Sequence, residues 1–386
     1  MKIAFVSTME GSPWGGSEEL WSQAALRLQE QGYHVAASVK WWPQPARKLL
    51  ALKQHGIDVW ERMALQQCSF MERVVRRVGR RLHCTEQEIR WLGAQKPDLV
   101  VISQGGNFDG FEWMNRCSET GIRYVTISHN NHEAWIPSDE VAERIVEGYR
   151  GAEKVYCVSH FGLNLLEEQI CQKLPNGEVV WNPCNVEPGP PVHWPEDGET
   201  IHLAMVAELD ANVKGHDTLM RVLAEPEWRR RPVVLNIYGR GKHRQFIERF
   251  AAYLGLDNVR LGGHVDGIRE LWRSNHLLVM PSRNEGIPLA LVEAMRCGRP
   301  AVAARVGGIA ELLADNETGF IAETPAAEAL SRALDRAWKA RLRWPEMGHA
   351  AWERIEQVAP QDAVGEFCSK LRMSCKPGHA AGKGRD

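Results

Sequence analysis

Short apolar runs rich in β-branched residues recur along the chain, separated by stretches in which apolar residues return every three or four positions. In the first half the runs are Ile3–Ser7, His34–Val39, Asp98–Ser103, Arg123–Ser128, Lys154–Ser159 and Val179–Trp181. In the second half they are Ile201–Ala207, Val233–Tyr238, Val259–Leu261, Leu277–Pro281, Pro300–Ala304 and Gly319–Ala322. A run without polar alternation reads as a strand buried on both faces, and the intervening helical patterns supply the cover. The pattern therefore predicts α/β architecture with parallel sheets. Between the first two runs, Leu20, Trp21, Ala24, Ala25 and Leu28 form one apolar stripe of a helix that Ser17 can cap and Gly32 can end.

The series is interrupted from Pro183 to Glu199, where five prolines fall in seventeen positions. Such a stretch suits neither a helix nor a central strand and is expected to be an interdomain linker. Two βα domains of similar size are expected to face each other across a cleft, the first over 1–185 and the second over 186–350. A helix over 351–375 is expected to pack back on the first domain, with 376–386, rich in Gly and Ala, as a disordered tail. From Phe70 to Leu82, Arg73, Arg76, Arg77, Arg80 and Arg81 recur at helical spacing opposite Phe70, Met71, Val74, Val75, Val78 and Leu82. This segment reads either as the solvated face of a packed helix or as a peripheral contact with an anionic membrane.

Composition narrows the class. At 386 residues the chain exceeds one ordinary core, and 44% hydrophobic with 25% charged residues is typical of a globular protein. No run reaches the roughly 20 apolar residues of a membrane span. The amino terminus reads as a first strand rather than a signal peptide. Nine cysteines without a Cys-x-x-Cys pair argue for a reducing compartment and against a disulfide framework or zinc site, so a cytoplasmic location is expected. A net charge of −2 gives no reason to expect nucleic acid. The fifteen tryptophans suit core and interface positions, or an apolar acceptor cleft.

The clearest chemistry follows Leu277–Pro281. A polar turn (Ser282, Arg283, Asn284, Glu285), then Gly286, then Pro288 ahead of a helix places the N–H groups of Ile287, Leu289 and Ala290 at a helix tip, beyond the carboxyl end of a parallel strand. That is a favoured place for a diphosphate. Glu285 and Glu293 flank this tip, eight residues apart. Carboxylates there repel phosphate and are suited to neutral hydroxyls, so the layout fits a ligand with hydroxyls on both sides of its diphosphate. A nucleotide sugar has that form. By spacing alone, Glu293 could equally be an exposed helix residue and Glu285 a neighbour of the cap.

The segment Pro281-Ser282-Arg283-Asn284-Glu285-Gly286-Ile287-Pro288-Leu289-Ala290-Leu291-Val292-Glu293 resembles the Glu-x7-Glu signature of retaining glycosyltransferase family 4. Gly15-Gly16-Ser17-Glu18 is similar to that family's amino-terminal glycine loop, and Lys214-Gly215-His216-Asp217 to its Lys-Gly motif. Gly298-Arg299-Pro300, Gly307-Gly308-Ile309-Ala310-Glu311 and Asn316-x-x-Gly319-Phe320 follow in the family's order. The likeness is dense over about 201–325 and sparse before it.

The resemblance implies two facing Rossmann-like domains, the GT-B fold, with the donor held mainly by the second. It assigns Glu285 to sugar hydroxyls near the reacting centre and Glu293 to the ribose. Backbone around Gly286, Ile287, Pro288, Leu289 and Ala290 would meet the diphosphate, with Gly15 and Gly16 approaching it from the other domain. The base would sit beside His264 and Val265. Lys214 is the implied cation for the leaving diphosphate. His129, after Arg123–Ser128, matches the family's strand-end histidine; a metal pair with His132 or a satisfied loop histidine are the alternatives. Where the family usually carries an arginine upstream of the lysine, this chain has Glu208. Arg283, Arg240 and Lys242 are the candidates to offset it.

The expected reaction moves a hexose, with UDP-hexose preferred to GDP-mannose, to a hydroxyl on a glycan, lipid or small molecule, with retention. No Asp-x-Asp occurs, so neither metal nor cofactor is expected. An epimerase or phosphorylase on the same plan and a non-catalytic nucleotide-sugar binder are the alternatives. Gly239-Arg240-Gly241-Lys242-His243-Arg244 lacks the third glycine of a dinucleotide fingerprint, which excludes a dehydrogenase.

Overall fold

The computed structural model describes residues 1–62, 84–196 and 198–375. The basic segment expected at 70–82 and the tail at 376–386 lie outside the described residues. Contacts divide the chain into two units, Met1–Pro183 with the segment from Asp362 onward, and Cys184–Gln361.

The first unit is built on seven parallel strands: β1 (Lys2–Ser7), β2 (His34–Lys40), β3 (Asp58–Arg62), β4 (Leu99–Gln104), β5 (Tyr124–Ser128), β6 (Lys154–Cys157) and β7 (Gly177–Val179). Their order is β3-β2-β1-β4-β5-β6-β7, with Ile3 opposite Leu99 and Ser7 opposite Ser103 at the centre. The second unit has six parallel strands: β8 (Ile201–Val206), β9 (Val233–Tyr238), β10 (Val259–Gly263), β11 (Leu277–Met280), β12 (Ala301–Ala304) and β13 (Gly319–Ala322). Their order is β10-β9-β8-β11-β12-β13. In each sheet the winding reverses beside the first strand, between β1 and β4 and between β8 and β11. Loops leaving such neighbours part to opposite faces and open a crevice at the carboxyl ends.

The uninterrupted apolar runs form buried strands: all six residues of β4 and all four of β11 and β12 are buried, as are the last five of β1. The stripe on the helix Gly16–Glu30 packs Trp21 against Phe5, ring centroids 5.9 Å apart. That helix starts two residues earlier than expected: Gly15 is its cap, and the Ser17 hydroxyl is buried with no partner. Extended backbone at Gly15 directs its carbonyl to the Glu18 N–H and so does the capping without a side chain.

Three further expectations are corrected. β3 was not expected, because Asp58-Val59-Trp60-Glu61-Arg62 alternates as an edge strand does and lacks a continuous apolar run. β7 lies two residues ahead of Val179–Trp181, since Val180 makes the last contact with β6 before Asn182 and Pro183 turn the chain away. The single helix expected over 351–375 is two, separated near Pro360. Trp344–Val358 stays with the second unit. Ala363–Cys375 returns to the first, where Val364, Phe367, Cys368 and Leu371 join the core of the helix Gly16–Glu30 and Arg27 meets Asp362 at 2.5 Å.

The proline-rich stretch is not a free linker. Its carbonyls are bound along the second unit by Arg296 at Val186, Arg269 at Pro190, Trp352 at Gly189 and Arg299 at Val192 and His193. Prolines cannot bond as a strand, so their neighbours' carbonyls need outside donors. The buried Arg299 guanidinium supplies them, also reaching the carbonyls of Trp272, Asn275, Cys297 and Gly298. Burial lowers its pKa to about 10, which leaves it protonated at neutral pH. Arg299→Met should cost about 3–5 kcal/mol in denaturant unfolding, because several buried carbonyls lose their donor at once. Arg299→Lys should recover little of this, since an ammonium cannot span the fork. Near-native stability of Arg299→Met would contradict the role.

Candidate functional site

In the second unit, the crevice between β8 and β11 is flanked by the loop Ala207–Gly215 and the turn Pro281–Pro288. Backbone contacts lock them together: the Arg283 N–H donates to the Val213 carbonyl at 2.7 Å. Gly215 (φ +72°) lies so near the strand exit that a Cβ would stand 2.1 Å from the Pro281 carbonyl oxygen. Gly307 (φ +54°) approaches from the other side, where a Cβ would stand 1.9 Å from the Glu285 carbonyl oxygen. Only glycine meets both the conformation and the space at these two positions. The neighbouring Gly308 N–H donates to the Gly286 carbonyl at 2.8 Å, which fixes the turn from outside.

This packing brings Lys214 and Glu285 together, with Nζ 2.8 Å from Oε1. Both side chains are largely withdrawn from water, at 22% and 9% exposure, so the pair is ordered rather than a loose surface contact. Beyond it starts the helix Leu289–Arg296, capped by Pro288 without a side-chain hydrogen bond. The Leu291 and Val292 N–H groups turn back to the Pro288 carbonyl, while those of Leu289 and Ala290 have no acceptor within the helix. Ile287 and Pro288 are buried, and Gly286, Leu289 and Ala290 are partly open. The positive end of the helix thus opens next to the Lys214–Glu285 pair, an arrangement that attracts an anion.

Glu293, one turn further, is buried and accepts from Asn185 Nδ2 at 2.8 Å. It is not the exposed helix residue that spacing allowed. His264 and Val265 follow β10; His264 is exposed and lies 3.1 Å from Asp266.

Glu208 is exposed just beyond β8. Two of the cations expected to offset it are committed elsewhere. Arg283 grips both oxygens of Asp217, at 3.0 and 2.9 Å, and the carbonyl of Ala211 at 2.5 Å. Lys242 is 2.8 Å from Asp210, whose carboxyl it helps to hold below the usual range against burial. Arg240 is exposed. Asp210, Asp217 and Asn185 were missed as site residues. Asp217 stood next to the Lys-Gly motif, but nothing in the sequence linked Asn185 to Glu293.

In the first unit, His129 is buried beyond β5, its Nε2 3.1 Å from Ser103 Oγ on β4. Burial lowers its pKa to about 4, against a small opposing effect from the Asn182 amide, so it is neutral near pH 7. His132 is turned elsewhere: its Nδ1 accepts from the Ala134 N–H and its ring packs against Trp135. Among the described residues no group of three or more His, Cys, Asp or Glu side chains is arranged to hold a metal ion. Gly15 and Gly16 open the helix that follows the loop after β1.

Residues 200–340 match the family model of glycosyl transferases group 1. This is the segment that holds β8, Lys214, Glu285 and the helix tip. Over 174 residues the chain is 29% identical to an uncharacterized glycosyltransferase of Methanocaldococcus jannaschii, covering 45% of this chain and 46% of that one. Over 226 residues it is 30% identical to a D-inositol 3-phosphate glycosyltransferase of Streptomyces griseus, covering 55% and 47%. The chain thus matches less than half the length of either curated relative. The crystal structure of Anabaena HepE in complex with UDP superposes with a TM-score of 0.69 at 17% identity, over 97% of this chain and 100% of that one. The fold is the two-domain α/β fold of GT-B glycosyltransferases. Among the described residues no helix is long and apolar enough to cross a membrane.

The His129 environment predicts an acid limb in stability. The unfolded histidine protonates near 6.5 and the folded one near 4, so the unfolded chain binds the extra proton between those values. Stability from this site is complete above about pH 6.5 and falls as pH drops towards 4, by on the order of 3 kcal/mol. Unfolding of His129→Gln, followed from pH 7 to 4, should show a shallower loss than wild type. Parallel curves would exclude the assignment.

Proposed function

We propose that this chain is a nucleotide-sugar-dependent glycosyltransferase that moves a hexose to an acceptor hydroxyl with retention at the anomeric carbon. The observation that carries the reading is the Lys214–Glu285 pair, held at 2.8 Å beside the tip of the helix Leu289–Arg296, whose cap makes no side-chain hydrogen bond. A cation, oriented backbone N–H groups and a hydroxyl acceptor side by side are what a sugar diphosphate requires. When diphosphate departs, Lys214 and the helix tip stabilise the charge that develops on it. Glu285, relieved of part of its ion pair, accepts from sugar hydroxyls, and the buried Glu293 accepts from the ribose. Arg283 acts indirectly, holding the turn through Asp217. The acceptor attacks the face from which diphosphate leaves, and a diphosphate oxygen takes its proton, so no protein nucleophile is needed.

The HepE structure contains UDP, which supports a uridine donor over GDP-mannose here. The relatives' names, glycosyltransferases acting in one case on D-inositol 3-phosphate, support the reaction class. Glu208 favours a second reading, a protein that binds nucleotide sugar without transfer, because it places negative charge at the strand exit where the diphosphate would lie.

A screen of UDP, UDP-hexoses and GDP-mannose should show one donor raising unfolding stability by roughly 2–3 kcal/mol at about a hundredfold excess over Kd. With that donor, Glu285→Ala should abolish transfer in a folded protein, and Lys214→Ala should lower kcat by about 100-fold or more. Glu293→Ala should mainly weaken donor binding. Donor binding with neither transfer nor slow hydrolysis across an acceptor panel would favour the second reading. Wild-type turnover in Glu285→Ala would end the first.

A further inference from the structure

The crevice of the first unit carries a buried polar cluster that the reading above does not use. β1 ends at Ser7, and the loop Thr8–Gly15 leads to the helix Gly16–Glu30. Ser7 is held from two sides. Its hydroxyl donates to Glu18 Oε1 at 2.8 Å and also receives the Met9 N–H at 3.3 Å, while its carbonyl accepts from the Arg62 guanidinium. Arg62 closes β3 and donates in addition to Ser38 Oγ on β2 at 2.7 Å. It thereby ties three neighbouring strands together. Glu18 is buried, takes a second bond from Trp21 Nε1, and donates its own N–H to the Gly15 carbonyl at 3.0 Å. One residue therefore binds the start of the loop through its side chain and the end through its backbone. Glu19 repeats the pattern: it accepts from Trp14 Nε1 at 2.8 Å and from Lys48 at 2.5 and 2.6 Å.

Two carboxylates in the first turn of a helix oppose an anion at that tip unless their charge is offset. Here Lys48 offsets Glu19. Burial raises the Glu18 pKa to about 7, against hydrogen bonds from Ser7 and Trp21 and attraction by Arg62. Neither residue therefore presents a bare charge to the loop. Such buried polar clusters fix one geometry, because every alternative leaves a polar group without a partner.

We propose that Glu18 and Arg62, acting through Ser7, are positioning residues that set the conformation of the loop Thr8–Gly15 and so the presentation of Gly15 and Gly16. Its functional half rests on the proposed function together with the role that the family resemblance gives Gly15 and Gly16; the loop-setting half does not.

The test is Glu18→Ala against Glu18→Gln in the full chain. The glutamine keeps both contacts, its carbonyl accepting from Trp21 and its amide donating to the Ser7 hydroxyl, so it rescues what alanine loses. In the protein without ligand, hydrogen exchange of the Met9 and Glu18 amides should accelerate tenfold or more in Glu18→Ala and stay near wild type in Glu18→Gln. Arg62→Met should accelerate Met9 similarly. With the donor found by the stability screen, and at a temperature well below the melting point of every variant, Glu18→Ala should lower donor kcat/KM by tenfold or more, and Glu18→Gln should stay within about threefold. Unchanged exchange in Glu18→Ala would overturn the proposal. Faster exchange with unchanged kcat/KM would overturn its functional half. If wild type binds and turns over no donor, the proposed function fails, while the exchange data still decide the loop.

Discussion

Close approach of backbone to backbone around the turn after β11 is the constraint from which the candidate site follows. The missing Cβ atoms of Gly215 and Gly307 let two other loops press against the Pro281 and Glu285 carbonyls. Hydrogen bonds from Arg283 to Val213 and from Gly308 to Gly286 then fix the distances. Lys214 and Glu285 face each other as a consequence, although 71 residues separate them. Side chains alone would not achieve this, because long charged groups on mobile loops lose entropy when they pair.

Charge is placed with similar economy. Carboxylates crowd both crevices, yet most are committed: Asp217 to Arg283, Asp210 to Lys242, Glu19 to Lys48, Glu18 to Ser7 and Trp21. A crevice that receives an anion cannot leave such groups bare. Glu208 is exposed instead, at the strand exit where positive charge would be most useful. Under the proposed function, its cost to diphosphate binding would be set against Lys214 and the helix tip, since Arg283 and Lys242 are already committed to aspartates.

Among the described residues the central strands, such as β4, β11 and β12, were legible because burial on both faces leaves a continuous apolar run. β3 was not, since an edge strand needs only one apolar face, and with it Arg62 escaped notice. The break at Pro183–Glu199 was visible, but its nature was not. Prolines rule out strand and helix without saying whether the carbonyls face water or, as here, the guanidinium groups of Arg269, Arg296 and Arg299. Likewise the glutamate pair and the helix tip were plain from Glu285 to Glu293, whereas the Asn185 contact to Glu293 was not.

The sequence by itself determined what depends on local order: the alternation of strands and helices, the parallel sheets, the turn, and the helix tip with its two glutamates. These follow from periodicity and from the conformations open to Gly and Pro, which act over a few residues. Only the tertiary structure decided which charges meet. It paired Lys214 with Glu285, diverted Arg283 and Lys242 to aspartates, buried Arg299 against the proline-rich stretch and brought Arg62 to Ser7. Partner choice among charged groups is set by distance and desolvation in the folded chain, and neither quantity has a signature in residue spacing.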